Sequence, residues 1–238
     1  MKRFDGTHWR EHVLERVCPR FEQFGSLVLS RVLPAFDAIN EEAHALEHSR
    51  YKELISSVRV SDEDDMWAAG EAMADLAFNE AMDHAVLLES MRFATLNLYA
   101  AALYHLTEQH LIDLPLQILN DDGEHNCRLG NAVSWFKDTL GLDLASLPSW
   151  PLIDELRLVA KVVKHGEGGS AEDLRNIRPD LFVYPTLRGH VTPFVTLRIE
   201  ASLFGNDFFV ANEEFERYQK GSIAFWTELA DALPSLTR

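Results

Sequence analysis

The feature that most constrains the fold is a long stretch, residues 61–114, that carries a helical pattern and contains no proline. At about 1.5 Å per residue, a single straight helix over this stretch would be roughly 80 Å long, which exceeds the size of a compact domain. We therefore predict a break or a kink near Gly70 or within residues 79–84. Pro115 is predicted to end the helix, because proline lacks the backbone N–H that the next turn needs.

Helical patterns also occur in most other parts of the chain, and short loops join consecutive helices. This arrangement favours a mainly α protein folded as an antiparallel helical bundle. Two apolar segments around Gly205, PFVTLRI and NDFFVAN, have strand-like patterns and predict a small C-terminal β-hairpin before the last helix. We interpret residues 1–238 as a single domain with its core at about 61–180, N-terminal helices at 8–57, and the hairpin plus last helix at 184–233.

The N-terminal helices are less regular than the central ones. Residues 8–18 predict a short amphipathic helix that Pro19 stops, and Pro34 predicts a kink further on. Residues 20–57 predict a second helical region, in which the core candidates are the large apolar residues Leu27, Leu33, Phe36 and Ile39.

Composition excludes several classes of protein. The chain is 47% hydrophobic and 25% charged, as expected of a folded globular protein, and no run of about 18 apolar residues predicts a membrane span. Its start lacks the apolar segment of a secretory signal. The only two cysteines, Cys18 and Cys127, show no disulfide or metal-binding pattern, so we expect a reducing compartment, with the cytoplasm as the predicted location.

The formal net charge of −16 is the opposite of what a non-specific nucleic-acid coat requires. The charge is unevenly distributed, because residues 151–190 contain six basic and six acidic side chains and are neutral as a segment. A neutral region of this kind admits one phosphate chain, whereas the acidic remainder suits a basic partner protein.

Residues 151–169 predict one helix that ends in a glycine-rich stop. Its apolar residues, Leu152, Leu156, Val159 and Val163, have helical spacing and form a core-facing stripe. The other side carries Arg157, Lys161, Lys164 and His165 at positions i, i+4, i+7 and i+8, so these four side chains project from one face. Gly166, Gly168 and Gly169 are predicted to adopt the left-handed backbone conformations of a helix end.

The basic face has a chemical and a structural interpretation. The chemical one makes His165 a general acid or base and makes the cations phosphate contacts in a metal-independent ribonuclease, because RNA supplies its own 2′-hydroxyl nucleophile. The structural one is a solvated helix face, in which Asp154 pairs with Arg157 or Lys161 without any catalytic role.

Short motifs elsewhere are weaker indications of chemistry. HWREH at 8–12 and HALEH at 44–48 both fit the H-x-x-E-H zinc pattern, but two copies argue against significance, and we interpret both as solvated helix faces. Glu124, His125 and Cys127 lie on one polar loop without an identifiable fourth metal ligand. GEGGSAEDLR at 166–175 follows a helix and lacks the lysine of a phosphate-binding loop. We therefore predict no metal and no cofactor.

The helix ending in LNLYAAALYHLTEQHL, followed later by LRLVAKVVKHGEG and IRPDLF, resembles the HEPN superfamily of prokaryotic helical domains. The resemblance covers about Ser61 to Asp180. Many members of that superfamily are metal-independent ribonucleases of toxin–antitoxin and antiphage systems, and they generally act as homodimers whose Arg-x4–6-His motifs face each other.

The resemblance maps the family's histidine onto His165. At the positions of the family's usual Arg-Asn pair, this chain has Ala160 and Lys161. Arg157 lies one turn earlier. The resemblance implies a metal-independent, RNA-cleaving homodimer of a bacterial toxin–antitoxin or antiphage system, with a cognate antitoxin as partner; the alternative is a catalytically inactive interaction subunit of a defence or regulatory complex. The catalytic candidates are His165, Arg157 and Lys161, with Lys164 and Arg157 as phosphate contacts and no membrane partner.

Three polar residues of the long helix, Tyr104, His105 and Glu108, lie within little more than one turn among apolar neighbours. If this helix packs beside the basic-face helix, these side chains are predicted to support His165. The structural alternative is that Tyr104 and His105 are boundary groups with satisfied hydrogen bonds.

Overall fold

The computed structural model describes residues 4–59, 63–119, 129–190, 198–199, 205 and 207–236, and the protein is mainly helical over these parts. The eight α-helices found there are α1 (Gly6–His12), α2 (Cys18–Leu27), α3 (Ile39–Ser57), α4 (Glu63–Leu119), α5 (Leu129–Leu140), α6 (Trp150–His165), α7 (Gly169–Ile177) and α8 (Asn212–Ala232). Short π-helical segments lie at Val13–Val17 and Val28–Val32. Single 3-10 turns lie at Leu33–Phe36, Leu144–Ser146, Pro179–Phe182, Pro185–Leu187 and Leu233–Ser235.

The chain divides into two compact units. The first contains Met1–Val28 and Phe93–Arg238, and the second contains Leu29–Arg92. Helix α4 contributes residues to both units. No helix in the described ranges is long and apolar enough to cross a membrane. The interpretation of the chain as one domain with a core at about 61–180 stays a prediction.

Helix α4 is longer than the sequence led us to expect. It runs from Glu63 to Leu119 as one α-helix, so the predicted break near Gly70 or residues 79–84 was wrong. A helix of this length does not fit inside one compact domain, but α4 contributes residues to two units. Pro115 lies inside the helix rather than ending it. Leu114 and Pro115 are both buried, and this packing offsets the backbone hydrogen bond that proline cannot make.

The core of the first unit lies around α8, which packs against α1, α2 and α6. Its side chains Phe215, Tyr218, Phe225 and Trp226 are buried, in agreement with the apolar stripe of this helix. Trp226 also contacts Phe21 of α2 and His110 of α4 through ring contacts at 6.1 and 5.9 Å, so three helices meet at one aromatic cluster.

The predicted β-hairpin is not seen. Residues 193–197 and 206 lie outside the described part of the chain, and the described remainder of both segments contains no strand. Phe208–Ala211 forms neither a helix nor a strand, and its backbone groups find partners other than a strand. The buried side chain of Asn97 donates to the Phe208 carbonyl at 2.8 Å and accepts from the Val210 N–H at 3.0 Å. The Phe209 N–H donates to the Leu181 carbonyl at 2.8 Å. The Asn97 side chain therefore supplies hydrogen bonds that a neighbouring strand would supply in a sheet.

Two details of the N-terminal helices also differ from the prediction. Pro19 lies in the first turn of α2 and does not stop a helix there, because the first turn needs no intrahelical N–H. Leu27 is 57% exposed and not a core residue, whereas Leu33 is buried. Phe36 and Ile39 are half-buried.

In the second unit, α3 and the first part of α4 form an antiparallel helical hairpin. Two side-chain pairs show that the helices run in opposite directions. Glu42 near the start of α3 lies beside His84, and Arg50 further along α3 lies beside Glu80, which comes earlier in α4. Arg50 donates to both oxygens of Glu80, at 2.5 and 3.0 Å, and these hydrogen bonds lower the pKa of Glu80. The buried residues Ala77 and Ala81 lie on the same part of α4 and allow the close approach of α3.

Candidate functional site

The predicted core face and basic face of α6 are both present. Leu156, Val159 and Val163 are buried and Leu152 is half-buried. The helix packs against α7 and α8, so its apolar stripe faces the core of the first unit. It ends at Gly166, whose φ of 67° is the left-handed conformation that favours glycine. The other two glycines were predicted wrongly, because Gly168 and Gly169 do not adopt that conformation.

Arg157 of the basic face is neutralised by a neighbour on its own helix. Its Nε donates to Asp154 Oδ1 at 2.7 Å, and the Arg157 side chain is about one-third exposed. This is the i, i+3 pair that the structural interpretation of the basic face predicted. The carboxylate engages the Nε donor in a partly exposed pair, so it competes with a phosphate for Arg157 without occupying the other donors of the guanidinium.

Lys161, Lys164 and His165 project from the same face at the C-terminal end of α6, and all three are exposed. Within the ranges that the structure describes, no hydrogen bond or ion pair holds any of these three side chains in place. Lys164 and His165 lie in the last turn of the helix, where cations interact favourably with the negative end of the helix dipole. Their position therefore has a structural explanation that involves no catalysis.

The charges of Glu108, Arg157 and Asp154 act on the hydroxyl of Tyr104 on α4. Tyr104 is buried, and burial, followed by the charge of Glu108, raises its pKa to about 12. The hydroxyl therefore stays protonated near neutral pH and does not act as a general base.

His105 lies apart from Tyr104 on the exposed surface of α4. Its Nδ1 is 3.3 Å from Glu108 Oε2, and its Nε2 is 3.1 Å from the amide nitrogen of Gln109. These distances fit an imidazole that donates to the carboxylate and accepts from the amide. Of the three predicted supporting residues, Tyr104 is the one on which the charge of Arg157 acts. In the described residues, no hydrogen bond or ion pair joins Tyr104, His105 or Glu108 to His165.

The most extensive charge cluster of the first unit surrounds Glu155, one residue from Asp154. Glu155 Oε1 accepts hydrogen bonds from Arg178 at 2.6 Å, from the Tyr218 hydroxyl at 2.7 Å and from Arg217. Arg178 also donates to both oxygens of Asp180, at 2.8 and 2.6 Å. Burial, followed by the charge of Glu155, raises the pKa of Tyr218. The cluster therefore joins α6 and α8 to the 3-10 turn after α7.

The same cluster also includes contacts to the segment before α8, Phe208–Ala211. Arg188 donates to Glu214 at 2.8 Å and to the Phe209 carbonyl at 2.7 Å. Glu214 Oε2 also accepts from the Ala211 N–H at 2.9 Å, which caps the start of α8. Each arginine of the cluster has at least one carboxylate partner, so the cluster presents no spare cation to a substrate.

A second arginine fork holds the chain beyond the glycine-rich stop. Arg175 donates to both oxygens of Glu167 at 2.6 Å, and Glu167 accepts from the Ile199 N–H at 2.9 Å. The Arg175 guanidinium also lies over the Phe182 ring, 4.8 Å from its centroid. The hydrogen bonds from Arg175 lower the pKa of Glu167 to about 2, although burial acts in the opposite direction. GEGGSAEDLR therefore contains a structural ion pair rather than a phosphate cradle.

The metal motifs provide no metal centre among the described residues, where no three histidine, cysteine or acidic side chains are grouped for a metal ion. In the first motif the Trp9 ring lies between His8 and His12, with centroid distances of 5.1 and 5.3 Å. Burial, followed by the charge of His8, lowers the pKa of His12. The Glu124, His125 and Cys127 loop lies outside the described residues.

The second motif borders a surface cleft of about 320 Å³ in the second unit. The cleft is lined by His44, Glu47, His48, Tyr51 and Ala74. Glu47 Oε2 lies 3.6 Å from His44 Nδ1, so the glutamate of the motif pairs with its own histidine. This contact favours the interpretation of the motif as a solvated helix face.

The chain has no match among protein-family models, curated proteins or solved structures. The resemblance to HEPN domains therefore stays a prediction based on the residues of α4, α6 and the IRPDLF segment. The geometry of this chain alone must support any functional conclusion.

Two features that organise this region were missed by the sequence analysis. Asn97 looked like one polar residue in an apolar helix, but its buried amide binds the backbone on both sides of Phe209. Arg178 and Asp180 flank a proline, and this Arg-Pro-Asp spacing is a signal for the fork that they form. A buried asparagine in a helix is a comparable signal, because an amide in a core requires partners.

Proposed function

We propose that this chain is a catalytically inactive, HEPN-like interaction subunit of a defence or regulatory complex, located in the cytoplasm and built as an antiparallel helical bundle. The single observation that carries the proposal is the Asp154–Arg157 ion pair, which turns the cation expected to stabilise a phosphate transition state toward a carboxylate of its own helix. The neutral pairing of arginines in the Glu155 cluster supports it further.

Spacing along α6 adds a second argument. Arg157 and His165 are eight residues apart, which corresponds to about 12 Å along a helix axis. A catalytic cation and a proton-transfer residue must reach the same phosphodiester, with heavy atoms within about 3 Å of the reacting oxygens. Arg157 is turned toward Asp154, and its supporting residues Tyr104 and Glu108 lie at its own end of the helix. The two candidate catalytic groups are therefore separated.

The test is an RNA-cleavage assay with the full chain, a structured RNA and EDTA. We expect no cleavage above the rate in buffer, for the wild type and for His165→Ala alike, because Arg157 is turned toward Asp154 and no contact in the described residues fixes the His165 ring. His190→Ala is the matched control, since His190 is another exposed histidine of the same unit. Cleavage that His165→Ala abolishes and His190→Ala preserves would refute the inactive-subunit proposal.

A second candidate is the metal-independent ribonuclease of a toxin–antitoxin or antiphage system, and one observation favours it. Lys161, Lys164 and His165 are exposed within about 6 Å of helix length, on one face. In this proposal a homodimer completes the site, with RNA as substrate and a cognate antitoxin as partner. It requires the cleavage described above and a dimer in sedimentation velocity, and a monomer that leaves RNA intact eliminates it.

A further inference from the structure

The second unit exposes an apolar line along α4 that we name the α4 face: Trp67, Phe78, Met82 and Val86. Phe78, Met82 and Val86 are four residues apart, and Trp67 precedes Phe78 by three turns, so all four project from one side of the helix. Their exposed fractions are 79% for Trp67, 50% for Phe78, 46% for Met82 and 60% for Val86.

The α4 face is directed away from α3. The residues of α4 that are buried here, Ala77 and Ala81, lie on another side of the helix, where Arg50 of α3 also reaches Glu80. A further line of exposed apolar residues, Leu76, Leu87 and Met91, shares its side of the helix with Glu80. Phe78, Met82 and Val86 are consecutive along the α4 face, and a run of exposed apolar side chains of this kind marks an interaction site.

Charge identifies the kind of partner. Residues 63–92 carry eight acidic side chains against one basic side chain, Arg92, so their formal charge is −7. Glu71 and Asp75 lie on the line between Trp67 and Phe78, and Asp83 borders it next to Met82; all three are exposed. In the described part of the chain, no cation pairs with any of these three carboxylates.

These carboxylates disfavour a second copy of this chain as the occupant, because pairing two α4 faces places like charges opposite each other. They favour a partner that combines apolar anchors at helical spacing with flanking lysine or arginine side chains. We propose that the α4 face is the docking site for a basic amphipathic α-helix of a partner protein. The proposal rests on the function as an interaction subunit and specifies the chemistry of its partner.

The test measures binding of fluorescent peptides to the full-length protein by anisotropy. The probe is a Lys/Leu peptide of about 18 residues, long enough for several helical turns, with its leucines on one face. One control peptide has the same composition in an order that disperses the leucines, and a second has the same apolar face with glutamate in place of lysine. We expect saturable binding of one amphipathic Lys/Leu peptide per chain, and weaker binding of both controls by about tenfold or more.

Variants locate the binding site. Met82→Ser and Phe78→Ser are each expected to weaken binding about tenfold, whereas Ile177→Ser, which removes an exposed apolar residue of the first unit, leaves it unchanged. The double variant Glu71→Gln, Asp75→Asn is expected to weaken binding and to reduce its dependence on salt between about 0.05 and 0.5 M. All of these side chains are exposed, and far-UV circular dichroism checks that each variant keeps its helices.

Three outcomes overturn the proposal: equal binding of the dispersed control peptide, wild-type affinity in Met82→Ser and Phe78→Ser, or a dimer in sedimentation velocity that these two variants dissociate. The last outcome assigns the α4 face to a second copy. Each leaves the inactive-subunit proposal standing, because that proposal is decided by the RNA-cleavage assay. RNA cleavage together with peptide binding at this face would instead refute the inactivity and retain the docking site.

Discussion

At the scale of single residues, carboxylates held by arginine forks set the local conformation of the first unit. Glu167 is the clearest example, because it accepts from Arg175 twice and from the Ile199 N–H once. The same side chain thus fixes the end of α6, the body of α7 and a residue thirty-two positions further along the chain. A charged acceptor with three donors loses its negative charge only at low pH.

Glu167→Gln is expected to lower the free energy of unfolding at pH 7 by about 1–2 kcal/mol, because the amide offers one acceptor oxygen and no charge to Arg175. The pKa of Glu167 falls from 4.5 to about 2 on folding, so the charge contributes stability above pH 4.5 and loses it as the pH falls towards 2. The difference between the two proteins should therefore shrink across that range. Urea unfolding at a series of pH values measures it.

Asp173→Asn is the matched control, because this exposed acidic side chain lies on the same helix as Arg175. It should change the free energy of unfolding by about 0.5 kcal/mol or less. A difference between wild type and Glu167→Gln that stays constant down to pH 2 would show that the charge of Glu167 contributes nothing.

At the scale of elements, close helix contacts depend on glycines that the sequence pattern does not distinguish from others. A Cβ atom added at Gly6 would lie 2.2 Å from the carbonyl oxygen of Leu233, which is backbone and cannot rotate away. Gly130 near the start of α5 is the opposite case, with nothing within 4 Å of the same position. Helix α1 therefore packs on the turn after α8 only because residue 6 lacks a side chain.

Gly6→Ala is expected to destabilise the protein by about 1–3 kcal/mol, because the methyl group forces α1 away from the turn at 233–235. Gly130→Ala is expected to be neutral or to stabilise by up to about 1 kcal/mol, because alanine favours a helix over glycine and meets no neighbour. Thermal unfolding of both variants beside the wild type measures the two changes. Equal effects of the same sign would contradict the close contact at Gly6.

The segment before α8 also shows where the sequence pattern fails to predict structure. Phe208–Val210 has the composition of a buried strand and is indeed buried, yet it pairs with Asn97 and with single backbone groups. Burial was predictable from three apolar residues in sequence, whereas the partner was not, since it lies more than 100 residues away on α4. Sequence periodicity reports which side chains are buried, not what satisfies the backbone.

At the scale of the whole molecule, the excess of carboxylates is the dominant electrostatic property. The chain carries 38 acidic against 22 basic side chains. In the first unit, arginines and carboxylates form the Glu155 cluster and the Glu167 fork. In the second unit, by contrast, the exposed carboxylates Glu71, Asp75 and Asp83 border the apolar α4 face. Acidic side chains therefore form structural ion pairs in both units, and in the second unit further carboxylates border the proposed docking surface.

Raising NaCl from about 0.05 to 0.5 M is expected to increase the midpoint of thermal unfolding by about 2–4 °C. Salt screens the mutual repulsion of the excess carboxylates, and exposed ion pairs contribute too little to reverse this gain. The variant Glu71→Lys, Asp75→Lys lowers the net negative charge and should show a smaller increase. An unfolding midpoint that falls with salt would mean that ion pairs outweigh the repulsion.

The sequence alone determined the helical class, the buried stripe of α6 and its stop at Gly166, because these features depend on side chains within a few residues of one another. It also supplied both interpretations of the basic face. Only the tertiary structure decided that Arg157 binds Asp154, that Arg178 and Arg188 are paired with carboxylates, and that α4 continues through Pro115. The Asp154–Arg157 pair lies within one turn of α6, and the structure selected it from two local alternatives. Arg178 and Arg188 instead depend on Glu155 and Glu214, which lie 23 and 26 residues away in sequence, so the neutralisation of these two arginines depends on what the fold brings beside them.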